Sequence, residues 1–395
     1  MSTQTYRILY HHRTQGRGGE GHHIVSVIRE LRNLGHQVDV LSPAGIDPFK
    51  LTEDAPVDKT ISRTSGLQSL WSLISRRAPL WLFELVEIAY NLPAAWRLHK
   101  ALNSQHYDFI YERYAFYLIA GSWLARRHSI PLILEANEVT GIPDRARRQQ
   151  FSALCTRFER YLLNRSAVVL PVSSYLSEMV QQHAPASLPI RVIPNAINPT
   201  ILDTPSVSTK PTQLSNKTII GFAGWFDDWD RLDLLLDVLN NLSEQFPKLH
   251  LLLVGDGPCL TQIRETITQL DLEDRVTITG SVPRSQVLNY LRWIDIAILP
   301  HSNTFGSPII LFEFFGLKIP VVAPRLPPLQ DVITHGENGL LFMPQDVIDC
   351  GRQVTNLLKD EPLIDRIADN AYQKLMEQYT WQNNAKQIIE AFENI

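Results

Sequence analysis

Two runs of alternating strand and helix signals, separated by one stretch with no apolar period, limit what this chain can become. In the first run, "YRILYHH" reads as a short buried strand. "GEGHHIVSVIRELRNLG" then reads as a helix, with Ile24, Val27, Ile28 and Leu31 on one face and Gly35 as its stop. "HQVDVLSP", "YDFIYER", "IPLILEANE", "AVVLPVS" and "IRVIPNAIN" supply further strands, with helices over 66–102, up to Arg127 and after "AVVLPVS". Such alternation predicts a parallel sheet covered on both faces. Residues 198–217, "NPTILDTPSVSTKPTQLSNK", are rich in Pro, Ser and Thr and read as a linker. The rhythm then restarts with "TIIGFAG", "LHLLLVGDG", "RVTITGSV", "IDIAILP" and "IPVVAP", and "GLLFMP" reads as an edge piece. The last helix, "WQNNAKQIIEAFENI", follows a capping Thr380. The expected fold class is α/β, with two doubly wound parallel-sheet domains facing a cleft. The expected organisation is a first domain over 1–198, a linker over 199–217 and a second domain over 218–380. The closing helix, 381–395, is expected to pack back on the first domain. In such sheets ligands sit outside the carboxyl ends of the strands, so the cleft is the expected active site.

Composition narrows the function classes. At 395 residues the chain exceeds one ordinary core. No apolar run approaches the roughly 20 residues of a membrane span. The start, "MSTQTYRILYHHRTQ", has no signal-peptide core, which points to the cytoplasm. Cys155, Cys259 and Cys350 are scattered and odd in number, and make neither a disulfide framework nor a metal site. Residues 1–203 carry 22 Lys+Arg against 17 Asp+Glu, and the remainder 15 against 24, so the two halves differ in sign and should meet different partners. No Lys/Arg-rich block appears, which argues against nucleic acid.

Three local runs carry chemistry. "GRGGEGHHI", Gly16 to Ile24, follows the first strand, where backbone N–H groups and a helix N-terminus favour an anion. A merely tight turn is the plainer reading. The spacing is not G-x-G-x-x-G, and no acid ends the second strand, which argues against a dinucleotide. "VGDGP", Val254 to Pro258, ends a strand and reads as a turn. In "GSPIILFEF", Gly306 and Ser307 offer backbone donors ahead of a helix, and Glu313 lies nearly two turns on, inside an apolar run. A lone carboxylate there needs a partner. It can accept two hydroxyls of a ribose; the plainer reading is a glutamate reaching solvent.

"GSPIILFEFFGLKIPVVAPRLPPLQDVITHGENGLLF" resembles the donor-site signature of the family 4 glycosyltransferases, a retaining family with the GT-B fold of two Rossmann-like domains. "GGEGHHIVSVIRELRNLGHQVDVLSP", "VIPNAIN", "GFAGWF", "LLLVGDGP", "VTITGSVP" and "YTWQNNAKQI" follow in the family's order, so the resemblance covers nearly the whole chain. It implies a glycosyltransferase of polysaccharide biosynthesis. Sugar would move from a nucleoside diphosphate sugar to a glycan or lipid-linked glycan, with retention and with no cofactor or metal. The resemblance makes Glu313 the ribose ligand, satisfied by the donor and not by protein. Gly306, Ser307 and Pro308 match the turn beside diphosphate and sugar, and Gly18 and Gly19 the loop that closes on the donor. Gly224 belongs to the same donor site, and Ser281 and Val282 lie where the nucleobase meets backbone.

On the acceptor side, "LEANEVTG" places Glu135, Asn137 and Glu138 at a strand end. Glu135 and Asn137 are the catalytic candidates there. Glu138, His22 and His23 are acceptor candidates, one histidine packing at the helix start and the other touching the acceptor. "RARRQQ", Arg145 to Gln150, reads as a solvated basic face or a contact for an anionic acceptor. Trp71, Trp81 and Trp96, with Arg76 and Arg77, lie on helices that can rest on the inner face of a membrane or pack in the core.

The chain departs from the family where a diphosphate needs positive charge. Trp225 follows Gly224, then come Asp227, Asp228, Trp229, Asp230 and Arg231. Ile310 stands where relatives keep a lysine, and Phe305 where a first glutamate would fall. Arg231 is then the one nearby cation and a catalytic candidate. A catalytically weakened binding protein and a GT-B nucleotide-sugar epimerase stay open as alternatives.

Overall fold

The computed structural model describes residues 4–14, 18–51, 79–143, 149–203 and 209–395. Gly16, Trp71, Arg76, Arg77 and the run Arg145–Arg148 lie outside the described residues. The chain divides into two compact units, Met1–Ile193 with Asn384–Ile395, and Pro194–Asn383.

The first unit holds a five-stranded parallel sheet in the order β2-β1-β3-β4-β5. Its strands are β1 (Arg7–His11), β2 (Gln37–Leu41), β3 (Phe109–Arg113), β4 (Leu132–Ala136) and β5 (Val168–Pro171). β3 and β4 are buried along their whole length, as strands covered on both faces must be. The covering helices are α1 (Gly18–Asn33), α2 (Leu80–Ala89), α3 (Asn91–Ser104), α4 (Ala120–His128), α5 (Ser152–Leu163) and α6 (Ser174–Gln181). Ile24, Val27, Ile28 and Leu31 form the buried stripe of α1, and Gly35 ends the segment at φ +93°. "IRVIPNAIN" does not form the expected full strand. It runs beside β5 through one bridge, Ile190 to Val169, and bonds from Arg191 and Ile193 N–H. Pro189 has no N–H to extend that ladder.

The second unit holds a six-stranded parallel sheet in the order β11-β10-β9-β6-β7-β8. Its strands are β6 (Thr218–Trp225), β7 (Leu249–Asp256), β8 (Val276–Ile278), β9 (Ile296–Ile298), β10 (Val321–Pro324) and β11 (Leu340–Phe342). Its helices are α7 (Leu232–Leu242), α8 (Leu260–Gln269), α9 (Arg284–Leu291), α10 (Ile309–Gly316), α11 (Val347–Lys359) and α12 (Glu361–Gln378). α10 is apolar on all sides but for Glu313, and such a helix can only be central. Leu311, Phe312, Phe314 and Phe315 are all fully buried in one hydrophobic cluster that runs through the unit.

The last helix, α13 (Trp381–Glu393), is capped by Thr380, whose hydroxyl accepts the Asn383 N–H at 3.2 Å. From Asn384 onward it counts with the first unit. Phe392 stacks on Phe109 with ring centroids 4.5 Å apart and meets Tyr6 edge-on. No helix among the described residues is long and apolar enough to cross a membrane.

Candidate active site

The carboxyl ends of β1, β3 and β4 gather the ionisable side chains of the first unit. His11 Nδ1 lies 2.5 Å from Glu112 Oε2, both about 1% exposed. Glu112 fills space that Gly121, in the first turn of α4, leaves open; a Cβ there would collide with the carboxylate. His12 also points inward, its Nε2 2.8 Å from Ser42 Oγ. Burial, then the neighbouring His11 and Arg113 charges, hold its pKa down at about 3.

Glu135 is the centre of a second cluster. Arg113 and Asn137 donate to Oε1, Tyr111 donates to Oε2 at 2.9 Å, and His23 Nε2 lies 3.0 Å from Oε2. Burial alone would push this carboxyl up. The His23 and Arg113 charges outweigh it and hold Glu135 far below the usual range, so it stays ionised. Glu135 is 2% exposed and its lone pairs are engaged. Through these contacts it ties His23 of α1, Tyr111 and Arg113 of β3, and Asn137 together. His23 is the histidine that packs. His22, Asn137 and Glu138 are half-buried and stand nearer to solvent. Gly19, at the start of α1, is exposed, and Gly18 opens that helix.

The loop after β4 is pinned from below. Glu159 accepts from Thr140 N–H at 2.7 Å, Thr140 Oγ1 at 2.8 Å and Tyr114 OH at 2.6 Å, and lies 2.6 Å from His183 Nδ1. Burial raises the Glu159 pKa, but its hydrogen bonds, His183 first, win and lower it.

In the second unit the turn after β6 is a cap. Asp227 and Asp230 exchange backbone and side-chain bonds in a capping box. Burial, with the Asp227 charge beside it, pushes Asp230 up to about 7. Asp228 accepts from Cys259 Sγ at 3.0 Å. Arg231, at φ +50°, is forked onto Asp233 at 2.7–3.1 Å. Its charge is paired with the Asp233 carboxylate, both side chains being more than a third exposed. Gly224 and Trp225 are exposed.

The turn before α10 is built from Asn303, which accepts the Gly306 N–H at 2.5 Å, and Asn195. Asn195 N–H donates to Ser307 Oγ at 3.0 Å and Asn195 Nδ2 to Ser307 O at 2.6 Å. Pro308 precedes the helix in extended conformation. Ile310 packs against the core, which accounts for an apolar residue there. Ser281 is exposed, and Val282 is partly buried against the same core.

Glu313 is fully buried on α10. Arg284 closes over it with both nitrogens, Nη1 donating to Oε2 at 3.2 Å and Nη2 to Oε1. The Arg284 side chain is 48% exposed. The expectation that protein leaves Glu313 unsatisfied is thus corrected. Arg284 escaped the sequence reading because it lies 29 residues upstream, behind the unremarkable "SVPRS". Arg113 and Glu112 were also missed, although charged residues closing the apolar run "FIYER" were a signal.

Comparison with known proteins adds a family. Residues 17–201 match Glycosyltransferase Family 4, and residues 206–374 match Glycosyl transferases group 1. An N-acetyl-alpha-D-glucosaminyl L-malate synthase from Bacillus anthracis is 31% identical over 146 residues, 37% of this chain and 36% of the relative. A chitobiosyldiphosphodolichol beta-mannosyltransferase from Debaryomyces hansenii is 27% identical over 182 residues, 42% of this chain and 38% of the relative. The chain thus spans well under half the length of these curated relatives. The crystal structure of Anabaena HepE in complex with UDP superposes with a TM-score of 0.70 at 18% identity, covering 98% of this chain and 100% of that one, a likeness of fold.

Proposed function

Since the chain belongs to the family 4 glycosyltransferases with the GT-B fold, we propose that it moves a sugar from a nucleoside diphosphate sugar to a glycan or lipid-linked glycan, with retention and without a metal. The observation that carries the donor half is Glu313. A carboxylate with no exposure, on the helix behind a Gly-Ser-Pro turn, and covered by one half-exposed arginine, suits a ribose diol. The UDP held by HepE supports a uridine donor, and the name of the Debaryomyces relative supports a lipid-linked acceptor.

In this reading the ribose takes lone pairs of Glu313 that Arg284 holds in the free protein. The guanidinium, once displaced, faces the diphosphate. The leaving group gains charge as the glycosidic bond breaks, and fixed donors aimed at it lower the barrier. The N–H groups at the start of α10 and Arg284 supply that function in place of the missing lysine. On the acceptor side Asn137, Glu138 and His22 face the sugar, with Glu135 and His23 holding them in position.

Calorimetric titration with UDP and with uridine tests the reading. Both should bind, and Glu313→Gln should weaken each by about 1.5–3 kcal/mol, the range for a hydrogen bond to a charged group. Equal affinity in parent and variant would remove the ribose assignment. A second reading, a weakened binding protein, is favoured by the acidic turn of Asp227, Asp228 and Asp230. It predicts nucleotide binding without turnover of any nucleotide sugar.

A further inference from the structure

Ser307, in the turn before α10, sits between two residues that do little to fix it. Gly306 leaves the backbone at its freest, and Pro308 has no N–H to bond. Ser307 is nonetheless buried and anchored, and both anchors come from one residue 112 positions upstream. Asn195 N–H donates to Ser307 Oγ at 3.0 Å, and Asn195 Nδ2 donates to Ser307 O at 2.6 Å. The first bond sets the rotation of the Ser307 side chain. The second sets the plane of the peptide that leads into the helix.

Asn195 is itself firmly placed. Ala196 and Ile197 behind it are buried. Ile197 N–H donates to Tyr379 O, and Ile197 O accepts from Trp381 N–H, each at 3.1 Å. Further along the segment Leu202 lies against Gly316, where a Cβ would meet its methyl carbons at 2.8 Å. Phe312 and Tyr379 have ring centroids 5.3 Å apart. Residues 195–202 thus support α10 at its start and at its last turn, and α10 carries Glu313.

The bonds to Asn195 leave Ser307 with donors in hand. A hydroxyl accepts through its lone pairs and donates once. Asn195 N–H occupies a lone pair of Ser307 Oγ, which turns the hydroxyl proton away from Asn195. Among the described residues no protein atom accepts that proton or the Ser307 N–H. The neighbouring Phe305 and Gly306 N–H groups differ, since Asn303 Oδ1 takes both, at 3.3 and 2.5 Å. Ser307 is therefore the residue of this turn whose donors remain for an anion. We propose that Asn195 is a positioning residue of the donor site, which aims the Ser307 hydroxyl and N–H at the donor diphosphate. The proposal rests on the donor-site reading and adds to it a residue that touches no ligand and acts through Ser307. A tie that only held the fold would weaken every ligand of the unit alike.

Titrations of the full chain with UDP and with uridine test this, because only UDP carries phosphate. The ratio of the two affinities is read within each variant, so any loss of folded protein cancels. The parent should prefer UDP. Asn195→Ala should narrow that preference about tenfold and leave uridine binding unchanged. Asn195→Leu, close to Asn in shape but with no N–H for Ser307 O, should do the same. Ser307→Ala should cost UDP affinity in the parent and distinctly less in the Asn195→Ala background, since both changes act through one residue. An unchanged preference in Asn195→Ala and Asn195→Leu overturns the proposal and leaves the ribose assignment of Glu313 standing. Equal losses of UDP and uridine overturn it too, and make Asn195 a tie of the fold. Fully additive losses overturn the route through Ser307. A parent that binds neither ligand removes the donor-site reading, and this proposal with it.

Discussion

At the scale of single residues, the two units handle buried carboxylates by opposite means. Glu135 is held by four partners and has no capacity left for a ligand. Glu313 is bonded by Arg284. Arg284→Ala should leave a buried carboxylate without its charged partner and cost about 1–3 kcal/mol, with the lower end favoured because Arg284 is half-exposed. Denaturant melts check this; a variant as stable as the parent would show that Arg284 does not hold Glu313. Asp230 gives a second case, since burial pushes it up to about 7. Above about pH 4 the unfolded carboxyl ionises while the folded one does not, so stability is lost until pH 7 and then levels. Asp230→Asn keeps an acceptor for the Asp227 N–H and removes the proton linkage. Its advantage over the parent should be small at pH 4, grow to pH 7 and stay constant at pH 8. A constant advantage across that range would sink the assignment.

At the scale of elements, side chains from one helix fix the end of another. Asn91, on α3, accepts the N–H groups of Ile119 and Ala120 at 2.9 and 3.0 Å, and so closes the start of α4. Asn91→Ala should cost about 1 kcal/mol, as removal of a capping side chain does. Asn91→Asp, which retains the acceptor but loses the bonds to Ile88 O and Tyr117 O, should recover no more than part of it in a thermal melt. Gly257 follows the same logic in backbone form. A Cβ there would strike the Phe226 backbone, so Gly257→Ala should displace the turn after β7 and lower the melting temperature. A melt unchanged by Gly257→Ala would mean the turn yields freely.

At the scale of the whole molecule, the chain ends in the unit where it began. Residues 384–395 count with the first unit through Phe392 on Phe109 and Tyr6. Truncation after Asn383 should therefore lower the transition of the first unit and spare that of the second. In calorimetry, UDP should raise only the transition that truncation leaves alone. Equal lowering of both transitions would mean that the chain melts as one block.

Much of the fold was legible because local pattern and global fold agree. "FIYER" and "LILEA" are apolar runs that only a doubly covered sheet can absorb, and "IILFEFF" can only be a central helix. Residue type also decided that Glu313 would need a partner, since a carboxylate in an apolar run is costly wherever it folds. What the sequence left undecided was which partner. Arg284 reaches Glu313 across 29 residues, and His23 reaches Glu135 across more than a hundred, distances at which periodicity carries no information. The direction of α2 was equally hidden. An amphipathic pattern says that a helix has two faces, not which of them meets protein. That choice fell to Tyr117, Arg13 and the N–H groups of Gln150 and Phe151, which turn Glu84 and Glu87 inward, because a buried carboxylate is tolerated only where such donors converge.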